Sequence, residues 1–269
     1  MPQIGVGGRK VYYEVHGDQP GVPLLLLMGM AGSCRGWLPL QVPAFCSKRR
    51  TVIFDHRGAG GSDDPGGPFS TPQFADDTVD LLDTLEIECA DVLGVFMGGM
   101  VAQEIALRHP DRVNRLLLTG TFARPDAKRR LLLEHWRDLA KGSDALEVLI
   151  RERLLWTLMD ETLEQTDLIQ SMVDYFKREG LPITADVFVR QCEACLRHDT
   201  SDRLAEIPHP TLIVCGERDR LTPLSMHRQL AEAIPNSHLV AINYGAHMVM
   251  VESAEHFNRV VLQFVADDR

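Results

Sequence analysis

Side chains that can move protons follow several of the apolar, strand-like runs of this sequence. Ligands of open parallel sheets bind beyond the carboxyl ends of the strands, so the residues directly after each run are the first candidates for chemistry. Five such segments are present: 28–33, 55–58, 96–99, 216–219 and 245–247. They combine carboxylates, imidazoles and glycine-rich backbone, which suit acid–base chemistry. The alternative interpretation of Asp219 and His247 is a solvated loop aspartate and an unrelated loop histidine.

The elements that must position these segments alternate between strand and helix. The predicted strands are Arg9–His16, Pro23–Met28, Thr51–Asp55, Asp91–Phe96, Val113–Thr119, Thr211–Cys215 and His238–Ile242. The helices predicted between and after them are Thr71–Leu85, Gly98–His109, Pro223–Ile234 and Ser253–Ala266. Strands separated by helices at this spacing predict a mostly parallel sheet that is covered on both faces.

The alternation stops between about Pro125 and Leu204, where only helical patterns occur. The predicted helices of this block are Asp126–Ala140, Asp144–Leu158, Glu161–Glu179 and Ala185–Arg197. Because strands resume afterwards, we expect an insertion into one sheet rather than an independent unit. The predicted organisation is an α/β core of residues 1–121 and 205–269 and a helical cap, or lid, of residues 122–204. The aromatic residues of the cap are expected mainly to pack: Trp136, Trp156, Tyr175 and Phe176.

Several motifs, in order along nearly the whole chain, resemble those of α/β-hydrolase-fold proteins. They are MG-x-x-GS at Met28, D-x-R-G-x-G-x-S from Asp55 to Ser62, LGVFMGGMVAQEIALRHPDRV, CGERD, and GAH near the C-terminus. The layout is similar to that of 3-oxoadipate enol-lactonase-type lactonases and related esterases. The resemblance implies an eight-stranded, mostly parallel sheet with an inserted helical lid. The helical block falls where such proteins carry their cap.

The resemblance also implies a catalytic order of nucleophile, acid and histidine. It assigns the acid to Asp219 and the histidine to His247, and an aspartate bound to one imidazole nitrogen leaves the other as a base. The nucleophile does not match, because G-x-S-x-G is Gly94-Val95-Phe96-Met97-Gly98 here. Phe96 has no nucleophilic atom and cannot form an acyl-enzyme. A bulky residue at this strained corner costs roughly 1–3 kcal/mol, so we expect Phe96→Ser to relieve strain without loss of stability.

The oxyanion hole implied by the resemblance consists of main-chain N–H groups, which a side-chain change leaves intact. Its donors would be the N–H groups of Met97 and Met30, with Met28 and Gly29 shaping the same loop. Met28 stands where many relatives carry His. The helix predicted to begin at Gly98 adds its positive end.

Other candidates have weaker support. Ser33 or Cys34 could replace the missing nucleophile, but Cys34 is expected to pack under its loop. His56 and Arg57 are assigned mainly to a structural turn, and the pair His198-Asp199 to a hinge or cap. A metal at the C-x-x-C of Cys192 and Cys195 is not expected, because zinc sites need four ligands. Cys89 and Cys215 are predicted to be buried thiols.

Composition restricts the classes of function. The chain has 269 residues, 45% of them hydrophobic and 25% charged, which is typical of a globular protein. Its net charge of −10 disfavours nucleic acid as a partner, and Lys128–Arg130 is expected to be a solvated helix face. The most apolar run, 24–30, is too short to span a membrane. Neither a leader nor a dinucleotide-binding motif is found, so we expect a cytoplasmic protein without a cofactor. A homo-oligomer is left open.

Three hypotheses of function remain. The first is an enzyme on a small carbonyl, ester or lactone substrate that uses His247 and Asp219 without a Ser acyl-enzyme. The second is an ester or lactone hydrolase inactivated or redesigned by the replacement of its nucleophile with Phe96. The third is a non-catalytic protein that binds a ligand in the same pocket. We favour an enzyme, since a pure binder needs neither Asp219 nor His247.

Overall fold

A single sheet of eight strands is the centre of the molecule, for which the computed structural model describes residues 3–142 and 145–266. The strands are β1 (Gln3–Val6), β2 (Arg9–His16), β3 (Leu24–Leu27), β4 (Thr51–Phe54), β5 (Ala90–Val95), β6 (Val113–Thr119), β7 (Thr211–Gly216) and β8 (Ser237–Ile242). Their order in the sheet is β1-β2-β4-β3-β5-β6-β7-β8. The pairs β1–β2 and β2–β4 are antiparallel, and all later pairs are parallel. The predicted α/β-hydrolase fold class, a mostly parallel eight-stranded sheet, is therefore confirmed.

Four strands of the parallel part of the sheet are buried over their whole length, as their mainly apolar sequences predict. Every residue of β3, β4, β5 and β7 is buried. Helices cover both faces, so the two core clusters lie on opposite sides of the sheet. This burial fixes the strands in register and brings the ends of β3, β5, β6 and β7 to one edge.

The helices follow the predicted spacing within one or two residues at most ends. They are α1 (Gln41–Phe45), α2 (Thr71–Thr84), α3 (Met97–Arg108), α4 (Ala127–Leu139), α5 (Ala145–Thr157), α6 (Asp160–Leu163), α7 (Thr166–Glu179), α8 (Ala185–Arg197), α9 (Leu224–Ala233), α10 (Val249–Glu252) and α11 (Ala254–Ala266). Their capping agrees with the sequence. Ser70 accepts the Gln73 N–H at the start of α2, ahead of Pro72.

Five helices, α4 to α8, separate β6 from β7, which is where only helical patterns occur in the sequence. The interval contains no strand in the part that the structure describes, although Ile183 makes one isolated bridge to Ala59. The predicted division into core and cap stays a prediction, and Asp144, the predicted start of one helix, lies outside the described residues.

Some predictions about these elements are wrong. One helix was expected over Glu161–Glu179, but α6 and α7 are separate. The Glu252 carboxylate accepts hydrogen bonds from Met159 N–H and Thr162 Oγ1, and this tertiary contact anchors the start of α6. The elements β1, α1 and α10 were not predicted. They are only four or five residues long, too short for a periodic pattern to be evident.

Two side-chain predictions also fail. Arg129 is buried rather than solvated, because its guanidinium donates to the carbonyls of Leu221 and Arg220 and pairs with Asp126. Cys89 is only half-buried, since it precedes β5 instead of lying in it. None of the described helices has the length and apolar character needed to cross a bilayer.

Candidate active site

The turn from β5 to α3 places Phe96 at a sharp corner of the backbone. Its φ of 46° and ψ of −110° lie in a region of backbone conformation that residues with a Cβ rarely adopt. Three hydrogen bonds hold the corner: Phe96 N–H donates to Thr119 O, while Phe96 O accepts from Met100 N–H and Thr121 Oγ1. The surrounding structure therefore enforces a conformation that Phe96 itself disfavours.

Two glycines allow strand and helix to approach at this corner. A Cβ on Gly94 would lie 2.2 Å from Gly98 O, and a Cβ on Gly98 would lie 2.2 Å from Leu27 O. Both distances are far below any tolerated contact, so only glycine fits at either position. This explains physically why Gly94 and Gly98 flank the corner.

The Phe96 ring is buried inside the molecule beside His247. The residue is 4% exposed. Its ring packs edge-to-face on Phe122, with centroids 5.9 Å apart, and on the His247 imidazole, with centroids 5.4 Å apart. The benzyl group therefore packs against the imidazole of His247.

His247 is oriented by Asp219 from the loop after β7. His247 Nδ1 lies 2.9 Å from Asp219 Oδ2, and both side chains are buried. Thr222 adds two further hydrogen bonds to the same carboxylate, from its N–H to Oδ1 and from its hydroxyl to Oδ2, each 2.7 Å long. Its hydroxyl also lies 3.2 Å from His247 Nδ1.

The electrostatics keep Asp219 ionised. Burial by itself would raise the pKa of this carboxyl, but the facing His247 imidazole and the Thr222 hydrogen bonds outweigh it, so the pKa is lowered from 3.8. An ionised carboxylate can only accept, so His247 carries its proton on Nδ1. The other nitrogen, Nε2, has no hydrogen bond to a described residue, which leaves its lone pair available as a base.

Gly120, at the end of β6, makes room for the imidazole. Its φ is 55°, and a Cβ there would lie 2.9 Å from His247 Cε1 and 3.1 Å from Nδ1. Any larger residue would displace the ring from Asp219. The ends of β6 and β7 together therefore determine where the imidazole lies.

The loop after β3 lies against the corner, as the oxyanion assignment requires. A Cβ on Gly29 would meet Val95 O at 3.1 Å and the Phe96 Cβ at 3.4 Å. Neither Met30 N–H nor Met97 N–H has an acceptor among residues 3–142 and 145–266. Met97 is the first residue of α3, where N–H groups have no intrahelical partner and the helix dipole is positive.

Residues from the α4–α8 interval contact this loop and the histidine segment. The Ala31 N–H donates to Gln191 Oε1 over 2.8 Å, and Arg153 Nη2 donates to Met30 O over 3.3 Å. Met248 N–H, directly after the histidine, donates to Thr157 O over 3.0 Å. The site is therefore enclosed from the side of these helices.

The alternative nucleophiles are poorly placed for that role. Cys34 is completely buried, and burial, together with Asp55, raises the pKa of its thiol well above the usual value. Its N–H donates to Asp55 Oδ1, which anchors the loop. The Ser33 hydroxyl accepts from Arg35 N–H and caps a short helical turn. Neither side chain has a described hydrogen bond to His247.

The turn at Asp55 has a structural role. Arg57 is buried and forms a bidentate pair with Asp77. His56 packs between Phe54 and Phe74, and burial lowers its pKa from 6.5 to about 4. A histidine that stays neutral in an aromatic cluster supports the fold rather than the chemistry.

The remaining sequence candidates lie apart from the imidazole. His198 is buried and bonds the Thr71 hydroxyl, while Asp199 accepts two bonds from Ser201 as a turn residue. Cys192 is buried with its sulfur 3.8 Å from that of Met30, and Cys195 is also fully buried. Among the described residues, no group of three or more His, Cys, Asp or Glu side chains could hold a metal ion.

Sequence reasoning missed four residues that shape the site: Thr222, Gly120, Gln191 and Arg153. Thr222 carried a usable signal, because an aspartate followed three residues later by threonine is typical of a side-chain-capped turn. The others carried none, since their partners lie 123 to 160 positions away.

Comparison with known proteins agrees with this architecture. Residues 22–254 match the model of a family described as alpha/beta hydrolase fold. A putative carbamate hydrolase, RutD, from Azorhizobium caulinodans is 30% identical over 267 residues, 99% of either chain.

Two solved structures superpose closely. The enol-lactonase from Burkholderia xenovorans LB400 has a TM-score of 0.89 at 26% identity, covering 99% of this chain and 100% of its own. A hydrolase from Pseudomonas aeruginosa PA01 has a TM-score of 0.88 at 26% identity, covering 98% and 97%. Since the family model extends from before β3 to the first residue of α11, the chain belongs to the alpha/beta hydrolase fold family.

Proposed function

We propose that this protein is an enzyme that acts on a small carbonyl, ester, lactone or carbamate substrate without a covalent acyl-enzyme. The observation that carries the proposal is the intact His247–Asp219 pair, 2.9 Å apart and buried, beside a corner occupied by Phe96. A buried carboxylate and an oriented imidazole are costly to maintain, which favours a catalytic role over simple binding.

In this proposal, Phe96 stands at the position of the missing nucleophile and His247 Nε2 is the general base. The base removes a proton from water or from a carbon next to the substrate carbonyl. The negative charge that develops on the carbonyl oxygen is held by the N–H groups of Met30 and Met97, which have no described acceptor of their own. Asp219 stabilises the imidazolium that forms and keeps its orientation.

The comparisons support the substrate class at a coarse level. The relative from Azorhizobium caulinodans is named a putative carbamate hydrolase, and one structural neighbour is an enol-lactonase. Carbamates and lactones share an acyl carbonyl flanked by a heteroatom, whose oxygen gains charge on attack by water. We therefore propose that the substrate has a carbonyl of this type.

The second candidate is a hydrolase inactivated by the replacement of its nucleophile. The specific observation in its favour is that every element around Phe96 suits a nucleophile there: the close-approach glycines 94 and 98, the corner dihedrals and the imidazole ring 5.4 Å away. The two candidates differ in whether the chain itself turns over.

The experiment compares the natural chain, His247→Ala and Phe96→Ser on a panel of alkyl carbamates, esters and lactones, with products followed by NMR and proteins by intact mass. His256→Ala, an exposed histidine of α11, is the matched control. The proposal expects turnover by the natural chain and by His256→Ala, a loss of about 10²–10⁴-fold in His247→Ala, and no mass increase. Activity only in Phe96→Ser supports the inactivated hydrolase, and full activity of His247→Ala refutes the proposed mechanism.

A further inference from the structure

The guanidinium of Arg153 lies beside the candidate site and has no carboxylate partner among the described residues. It lies on α5 and is partly buried, and Nη2 donates to Met30 O over 3.3 Å. No described acidic side chain forms an ion pair with it, and its other guanidinium N–H groups bond no described residue. Burial lowers its pKa from 12.5 to about 10, so the side chain stays charged near neutral pH.

The other partly buried arginines of the helical interval and its surroundings are paired. Arg137 pairs with Glu193, Arg190 with Asp64, and Arg203 with Glu104. Such pairing is the usual way in which a protein compensates a charge removed from water. Arg153 has no such partner among the described residues, so its guanidinium is available to pair with an external anion.

The position of Arg153 directs it toward the reacting groups. The Arg153 side chain donates to Met30 O, and one helical turn later the main-chain carbonyl of Thr157 accepts the Met248 N–H. Met30 is the expected oxyanion residue, and Met248 adjoins the base His247. The guanidinium is therefore attached to the carbonyl of the same residue whose N–H is free for an oxyanion.

We propose that Arg153 binds a carboxylate of the substrate, so that the ligand is a carbonyl compound that also carries a carboxylate. Guanidinium N–H groups match a carboxylate in planar, bidentate geometry, and an anion would also replace the missing ion-pair partner. This inference rests on the proposed function for the identity of the site but concerns binding and not turnover.

The test measures binding of levulinate (4-oxopentanoate) and of its neutral amide by ligand-observed NMR and calorimetry at pH 7. The variants are Arg153→Gln, Arg153→Lys, and Arg151→Gln as the matched control. Arg151 is on the same helix, but it is exposed and pairs with Glu147. Circular dichroism verifies that each variant is folded.

The natural chain and Arg151→Gln should bind levulinate at least about tenfold tighter than the amide, as charged hydrogen bonds are strong. Arg153→Gln should lose this preference, and Arg153→Lys should retain part of it. Equal binding of the two probes by the natural chain, binding of neither, or an unchanged preference in Arg153→Gln would overturn the inference. Preferred binding of levulinate in a chain without turnover leaves the inference standing and refutes the proposed function, so the two failures are distinguishable.

Discussion

Replacement of Phe96 by glycine should give a more stable protein than replacement by alanine. Either change removes a buried ring that is 4% exposed and packs on Phe122 and His247. The loss of a buried phenylalanine side chain costs about 3–5 kcal/mol in both variants. The two variants then differ only at the Cβ, which isolates the strain of the backbone.

The difference can be estimated from the dihedral angles. At φ 46° and ψ −110°, a residue with a Cβ is strained by about 1–3 kcal/mol, and glycine is not. Glycine also lowers the free energy of unfolding by about 0.5–1 kcal/mol, because it gives the unfolded chain more conformational freedom. At the midpoints of these ranges, we expect Phe96→Gly to exceed Phe96→Ala in free energy of unfolding by about 1 kcal/mol, or roughly 2–4 °C in Tm.

The assay is urea unfolding at 25 °C followed by circular dichroism, with Ala102→Gly as the control. Ala102 is fully buried in the middle of α3, so glycine there should destabilise by about 1 kcal/mol. Opposite signs at positions 96 and 102 would confirm strain at the corner. A Phe96→Gly protein no more stable than Phe96→Ala would refute the reasoning.

The same geometry revises one expectation from the sequence. Phe96→Ser was expected to relieve strain without loss of stability, but serine also carries a Cβ and keeps the strain. It loses the buried ring in addition, so we now expect the variant to be destabilised by about 3 kcal/mol even where it gains esterase activity.

Three further predictions concern the site and the core. Fluorophosphonates should not label the natural chain, because Phe96 has no nucleophilic atom and the Cys34 thiol is buried with a raised pKa; stoichiometric labelling by intact mass would contradict this. Asp219→Asn should reduce kcat by more than Thr222→Val does, because the asparagine no longer stabilises the imidazolium. The valine removes only hydrogen bonds of the Thr222 hydroxyl, which are worth about 0.5–1.5 kcal/mol each. Steady-state kinetics on any active substrate would show the reverse order if the pair is unused. The pKa of His56 is lowered to about 4, so the contribution of this residue to stability is complete above pH 6.5. About 3 kcal/mol of the free energy of unfolding is lost as the pH falls from 6.5 to 4. The free energy of unfolding of His56→Phe should change less over this range, and an equal slope would contradict the assignment.

Much of the fold follows from local patterns in the sequence. The mainly apolar runs of β3, β4, β5 and β7 have one stable environment, the interior of a parallel sheet covered on both faces. The sequence also predicted the corner at Phe96, since glycines at 94 and 98 and a buried strand before them permit close packing of the helix on the strand. These features depend on neighbours a few residues away, which is why one sequence is sufficient to identify them.

Only the tertiary structure decides which distant groups meet. The imidazole of His247 is oriented by Asp219, 28 positions earlier, and has its space because Gly120, directly after β6, carries no side chain. Arg129 appeared to belong to a solvated basic face until the packing of α4 brought it to the carbonyls after β7. Arg153 likewise is an ordinary helix residue in the sequence, and its lack of a carboxylate partner is defined by the chain folded around it. Hydrogen bonds and charge compensation depend on distances in space, and local periodicity carries no information about them.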